Sequence, residues 1–234
     1  MRGAYAVTDV RAAEAALMAR VPEGSLMQRA ATGLARTCAL LLRDAVGSVV
    51  GARVVILVGS GSNGGDAMWA GAALTARGAA VTALLLSDAP HAEGLAALLR
   101  AGGRAVPVPD EAAAREAAGQ VRTADLVLDG IVGIGGSGPL RAPAAVLARA
   151  ALAGGGERVA VDLPSGTDPD TGAVPDAQAA FVADVTVTFG VPKPGLLLMP
   201  AAEHAGVIEL VDIGLEPELP DEPALRLLDA ADVA

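Results

Sequence analysis

From Gly51 onward the chain alternates short runs rich in β-branched residues with stretches of good helix formers. The runs Val54–Val58, Val81–Leu86, Ala105–Val108, Leu126–Asp129, Val159–Asp162, Val185–Phe189 and Val207–Val211 read as strands. Between the first five lie helix candidates Ala67–Arg77, Glu93–Ala101, Glu111–Gln120 and Ala142–Leu152. Such an order predicts an α/β fold, a parallel sheet covered on both faces and joined by right-handed crossovers. The last two strands have no helix between them and are expected to pair at one edge. Before Gly51, Thr8 can cap a helix to about Arg20, and Pro22 separates it from an amphipathic helix over Ser25–Asp44.

Composition narrows the function classes. Hydrophobic residues make up 53% of the chain and aromatics only 2%, so the core must be Ala, Val and Leu packed between sheet and helices. A net charge of −10 argues against nucleic-acid or anionic-membrane binding, and any anionic ligand must be held by local donors. Uncharged runs fall well short of the ~18 residues of a spanning helix, and Asp9, Arg11 and Glu14 interrupt the N-terminus before a signal-peptide stretch can develop. A cytoplasmic location is expected. Cys38 is the sole cysteine and reads as a small buried hydrophobe, while His91 and His204 are isolated and read as surface or structural.

The chemistry gathers at strand ends. After Val54–Val58 comes Gly59-Ser60-Gly61-Ser62-Asn63-Gly64-Gly65-Asp66, which satisfies GxGxxG at 59, 61 and 64. A Gly-rich turn opening a helix presents unpaired N–H groups and a helix dipole to an anion, the alternative being a tight turn without a ligand. After another strand comes Asp129, then the glycine-rich Gly133-Ile134-Gly135-Gly136-Ser137-Gly138-Pro139, whose backbone can approach a ligand closely. After a third comes Asp162-Leu163-Pro164-Ser165-Gly166. A parallel sheet brings all three ends to one rim, where ligands of open α/β sheets bind. Oxygens such as those of Asn63, Asp129 and Ser165 suit a hard cation rather than zinc. Lys193, the only lysine among 17 basic residues, reads as a solvated loop residue or a ligand contact. Asp168-Pro169-Asp170-Thr171-Gly172 reads as a turn, since a calcium loop would need Glu where Ala179 stands.

Taken in order, GSGSNGGDA, DGIVGIGGSGPLRAP, VAVDLPSGTDPDTG and ADVTVTFGVPKPGL resemble the glycine loop, the Asp-led glycine segment and the DIPSG and PKxG segments of the NAD(P)H-hydrate epimerase family, the YjeF amino-terminal domain. The likeness extends from about Leu26 to Leu215. It implies a three-layer α/β/α Rossmann-like sandwich and interconversion of the R and S forms of NAD(P)H hydrate (NAD(P)HX), the substrate rather than a cofactor. By motif position it implies hydrate contacts from Ser62, Asn63, Gly64, Gly65 and Asp66, and from Gly133, Ile134, Gly135, Gly136, Ser137, Gly138 and Pro139, with Lys193 as a further contact. It places a potassium ion on Asn63, Asp129 and Ser165, and Asp162 at the reacting ring. A carboxyl there can donate a proton and take one back while its charge stabilises a cation, and that acid–base role is assigned to Asp162 on its chemistry. Ser62 and Ala67 depart from the family's Asn and Gly. The functional partner it implies is an ADP-dependent dehydratase, often fused to the epimerase.

Residues 1–215 are thus expected to form the epimerase domain, with residues 216–234 an acidic, proline-rich connector and tail, of either a free-standing epimerase or a longer protein in which a dehydratase domain follows. The apolar face of the Leu26–Asp44 helix could meet a second copy, so a homo-oligomer is expected. Two other functions fit part of the pattern. A Rossmann dehydrogenase would use Asp88 on a ribose, and a non-catalytic module would bind a nucleotide without turning it over.

Overall fold

The computed structural model describes residues 2–136 and 138–227. Seven strands form one wholly parallel sheet in the order β4-β3-β2-β5-β6-β7-β8, with β2 Arg53–Val58, β3 Ala80–Leu85, β4 Arg104–Pro107, β5 Leu126–Gly130, β6 Glu157–Val161, β7 Val185–Phe189 and β8 Val207–Val211. The chain enters at β2, runs outward to β4, then returns to the other side of β2 as β5. That reversal between β2 and β5 is the topological switch point at which open α/β sheets bind their ligands.

Alternation along β2 divides the core between the two faces. Val54, Ile56 and Val58 join a cluster with α1 (Val7–Met18), α2 (Ser25–Val46), α3 (Ser62–Ala76) and α4 (Ala92–Arg100). Val55 and Leu57 join a second cluster with α5 (Glu111–Arg122) and α6 (Ala144–Leu152). The three-layer sandwich is therefore present. The apolar face of α2, including Leu34, Cys38 and Leu42, is spent inside the chain on the sheet.

Several local expectations change. Thr8 does not cap α1, which begins at Val7 with its N–H donated to Asp170 Oδ1 at 2.8 Å. α3 begins at Ser62 rather than Ala67, so the whole Asn-Gly-Gly-Asp segment is helical. β7 and β8 pair in parallel at the sheet edge, as expected, but they are joined through a one-turn helix α7 (Ala202–Ala205) that the sequence pattern did not mark. Two three-residue strands also went unmarked: β1 (Arg2–Ala4) pairs antiparallel with β9 (Leu225–Leu227).

Candidate functional site

The carboxyl ends of β2, β5 and β6 converge on two adjoining cavities. One, of about 440 Å³, is lined by Ser62, Asn63, Asp66, Gly133, Ile134, Gly135 and Asp162, with Arg11 and Glu14 reaching in from α1. The other, of about 690 Å³, is lined by Gly136, Gly138, Pro139, Arg141 and Ser165 among others. Ser60, Ile131, Val132 and Gly133 line both, so the cavities adjoin along one wall.

The β2–α3 turn is shaped by close backbone approach. A Cβ on Gly59 would lie 2.0 Å from the Ile131 carbonyl oxygen, so only glycine lets the turn pass beneath the β5 loop. Gly61 precedes α3 and no side chain caps the helix, which leaves its first N–H groups for a ligand in the smaller cavity. Gly64 and Gly65 line neither cavity; both are buried, with Gly65 packed against His91 and Met27. Ser137 lies outside the described residues.

At the end of β5, Asp129 is fully buried and gathers three hydrogen bonds. Its Oδ1 accepts from the Ser165 hydroxyl at 2.7 Å and the Ile131 N–H at 3.2 Å, and its Oδ2 from the Ser165 N–H at 2.8 Å. Burial nonetheless outweighs these bonds and pushes its pKa up to about 6. Asn63, across the loop, sets its Oδ1 beside Gly133, where an added Cβ would come within 3.1 Å. The Asn63 Nδ2 is buried without a hydrogen-bond partner among the described residues. No three His, Cys, Asp or Glu side chains cluster there to hold a metal, among those residues. One carboxylate, one hydroxyl and one carboxamide are oxygen donors that fit a hard, weakly charged cation.

Asp162 follows β6 and is the only described non-glycine residue with positive φ, at 67°. Asp tolerates that left-handed conformation better than most residues, and its persistence in a cleft marks a position fixed by its surroundings. Oδ1 accepts from Thr188 Oγ1 at 3.1 Å, from the Phe189 N–H at 3.2 Å and from the Lys193 ammonium. Lys193 is only 1% exposed, which corrects the solvated-loop reading. It lies behind Asp162 and lines neither cavity, with further bonds to Thr188 Oγ1 and the Phe189 carbonyl. The Phe189–Pro194 loop therefore serves to anchor one carboxylate.

Glu14 and Asp66 complete a group of three carboxyls around the smaller cavity. Burial, then the Asp162 charge, raise the Glu14 pKa against the pull of Lys193 and Arg11. Asp66 is raised well above its usual range by burial first, then by Asp162 and Glu14. Sequence reasoning missed Arg11 and Glu14; their three-residue spacing puts them on one face of α1, but nothing in the sequence says that α1 lies over the β2 turn. Asp88, which a dehydrogenase would need on a ribose, is exposed. His204 is buried, with Nδ1 3.1 Å from the Phe181 carbonyl, and His91 Nδ1 accepts from the Gly94 N–H to cap α4; both are structural.

The family model described as YjeF-related protein N-terminus matches residues 23–195. The bifunctional NAD(P)H-hydrate repair enzyme Nnr of Mycobacterium leprae is 47% identical over all of this chain and 46% of its own length. The NAD(P)H-hydrate epimerase of Clavibacter michiganensis is 43% identical, covering 91% of this chain and 90% of its own. This chain thus spans about half of the bifunctional relative and nearly all of the shorter one. Among solved structures, yeast ynu0 (YNL200c) superposes with a TM-score of 0.70 at 20% identity, covering 86% of this chain and 85% of the other, a likeness of fold.

Proposed function

Since the chain belongs to the YjeF-related N-terminal family, we propose that it epimerises NAD(P)H hydrate, interconverting the R and S forms so that both become available for repair. The observation that carries the reading is the smaller cavity, where an uncapped helix N-terminus meets a ring of carboxyls at the sheet's switch point. Helix N–H groups suit the phosphate side of a dinucleotide, and carboxyls suit a reaction that passes through a cation. The carbon that inverts carries a hydroxyl and adjoins the ring nitrogen. Protonated, the hydroxyl leaves as water; the nitrogen lone pair then forms an iminium that water can enter from either face.

In this reading Asp162 faces the reacting ring, and the charge fixed on it by Lys193, Thr188 and Phe189 stabilises the cation as it forms. The larger cavity, with Arg141 on its wall, has room for the rest of the dinucleotide. Asn63, Asp129 and Ser165 would hold a potassium ion. When bound, that ion supplies positive charge beside a wall otherwise rich in carboxyls. The working partner is an ADP-dependent dehydratase acting on one epimer, supplied by the same polypeptide in bifunctional relatives or by a separate protein, and both would work in the cytoplasm.

The test supplies separated R hydrate to the protein and follows both forms by chromatography. Conversion far above the spontaneous rate supports the reading. Tight hydrate binding without conversion would identify a non-catalytic module, and net hydride transfer a dehydrogenase.

A further inference from the structure

We propose that Asp66 supplies the proton that releases the hydroxyl while Asp162 stays a carboxylate throughout, an assignment that rests on the epimerase reading. Both side chains line the smaller cavity, yet their surroundings are opposite. Three donors meet on Asp162 Oδ1, one of them the Lys193 ammonium, so negative charge on that oxygen is met by charge-assisted hydrogen bonds from the protein itself. No such donor meets Asp66 among the described residues. Its Oδ1 is shut away from solvent and lacks a hydrogen-bond partner among the described residues. A charged carboxylate oxygen buried without a donor is costly, and protonation removes most of that cost.

The groups around Asp66 reinforce the neutral form. Glu14 reaches towards it from α1 and Asp162 from beyond β6, both bringing negative charge. Positive charge comes from Arg11 on α1 and from Lys193, but Lys193 is engaged with Asp162 and Arg11 Nη2 donates to the Ile134 carbonyl at 3.4 Å. His91, at the start of α4, packs on the Gly65 backbone with its Nδ1 already accepting from Gly94. Glu14 is the competing acid. It is less enclosed than Asp66, and Arg11 and Lys193 both pull it towards the charged form.

The step balances with these groups alone. The Asp66 carboxyl proton passes to the hydroxyl oxygen, the carbon–oxygen bond breaks with its pair leaving on water, and the ring-nitrogen pair forms the carbon–nitrogen double bond. Water then adds to the opposite face, the double-bond pair returns to nitrogen, and the excess proton travels through cavity water to the Asp66 carboxylate. Asp162 faces the cation in both halves and changes charge in neither.

Rates of R-to-S conversion and hydrate binding, measured across the neutral and alkaline range, separate the two roles. The wild type should slow as pH rises and Asp66 loses its proton. Asp66→Asn should be slower by about a hundredfold or more, with that alkaline fall abolished and hydrate affinity kept within a few fold. Asp66→Glu should restore part of the rate, and Asp162→Asn should be slow but keep the alkaline fall. Carbon-13 NMR of the Asp66 carboxyl in the wild type should show a protonated acid at neutral pH, a readout that needs no variant to fold. A full rate in Asp66→Asn, or an Asp66 carbon that titrates as an ordinary carboxylate, would overturn the assignment. Wild-type protein that leaves the spontaneous rate unchanged would instead overturn the epimerase reading beneath it.

Discussion

Asp162 and Lys193 are where single residues decide most. Both are buried and paired, so removing one partner leaves the other charged and uncompensated. Lys193→Met should lower stability by about 3–5 kcal/mol, read from denaturant midpoints, and Asp162→Asn in the same chain should recover part of the loss. An unchanged midpoint in the single variant would show that the pair carries little. Asp162→Asn alone should keep the local backbone, because Asn also tolerates positive φ, while epimerisation falls sharply; a full rate would remove Asp162 from the reaction. The rim carboxylates Asp66, Asp129 and Asp162 were legible because each stands beside glycines at a strand end. Lys193 was not. A lysine between two prolines reads as a loop residue, and only the pairing of β6 with β7 brings its loop behind Asp162.

At the scale of elements, the seven main strands were readable because β-branched runs bounded by breakers have few alternatives in a chain of this composition. The start of α3 was not, since glycines at 64 and 65 disfavour a helix by local propensity. Packing overrides that preference: a Cβ on Gly64 would come 2.7 Å from the Gly59 carbonyl oxygen and one on Gly65 2.9 Å from His91 Cγ, so glycine is what lets this turn of helix sit down. Of the glycines in this turn Gly59 makes the tightest approach, and Gly59→Ala should cost about 1–3 kcal/mol and weaken hydrate binding, because the obstacle is the Ile131 backbone rather than a movable side chain. Gly61→Ala offers the control. Nothing lies within 4 Å of its added Cβ and its φ is −90°, so thermal unfolding should shift little. Equal losses in the two variants would contradict the packing argument. The β1–β9 pair escaped notice because three residues are too few for any periodicity.

For the whole molecule, net negative charge and the anionic dinucleotide proposed as substrate set the electrostatic problem. Local donors must do the binding, and a cation on Asn63, Asp129 and Ser165 would ease it. Epimerase activity assayed in a choline background should therefore rise as potassium is added, and Ser165→Ala should blunt that response; a rate indifferent to potassium would remove the ion from the account. No helix among the described residues is long and apolar enough to cross a membrane. The strand order, with its reversal between β2 and β5, places the three glycine-bearing ends on one rim, and the central claim is that this rim inverts one carbon of a hydrated nicotinamide ring. The most direct measurement follows separated R hydrate with and without the protein. Rapid approach to the R/S equilibrium, with no net oxidation or reduction, is the result expected here; an R form that decays no faster than in buffer would contradict it.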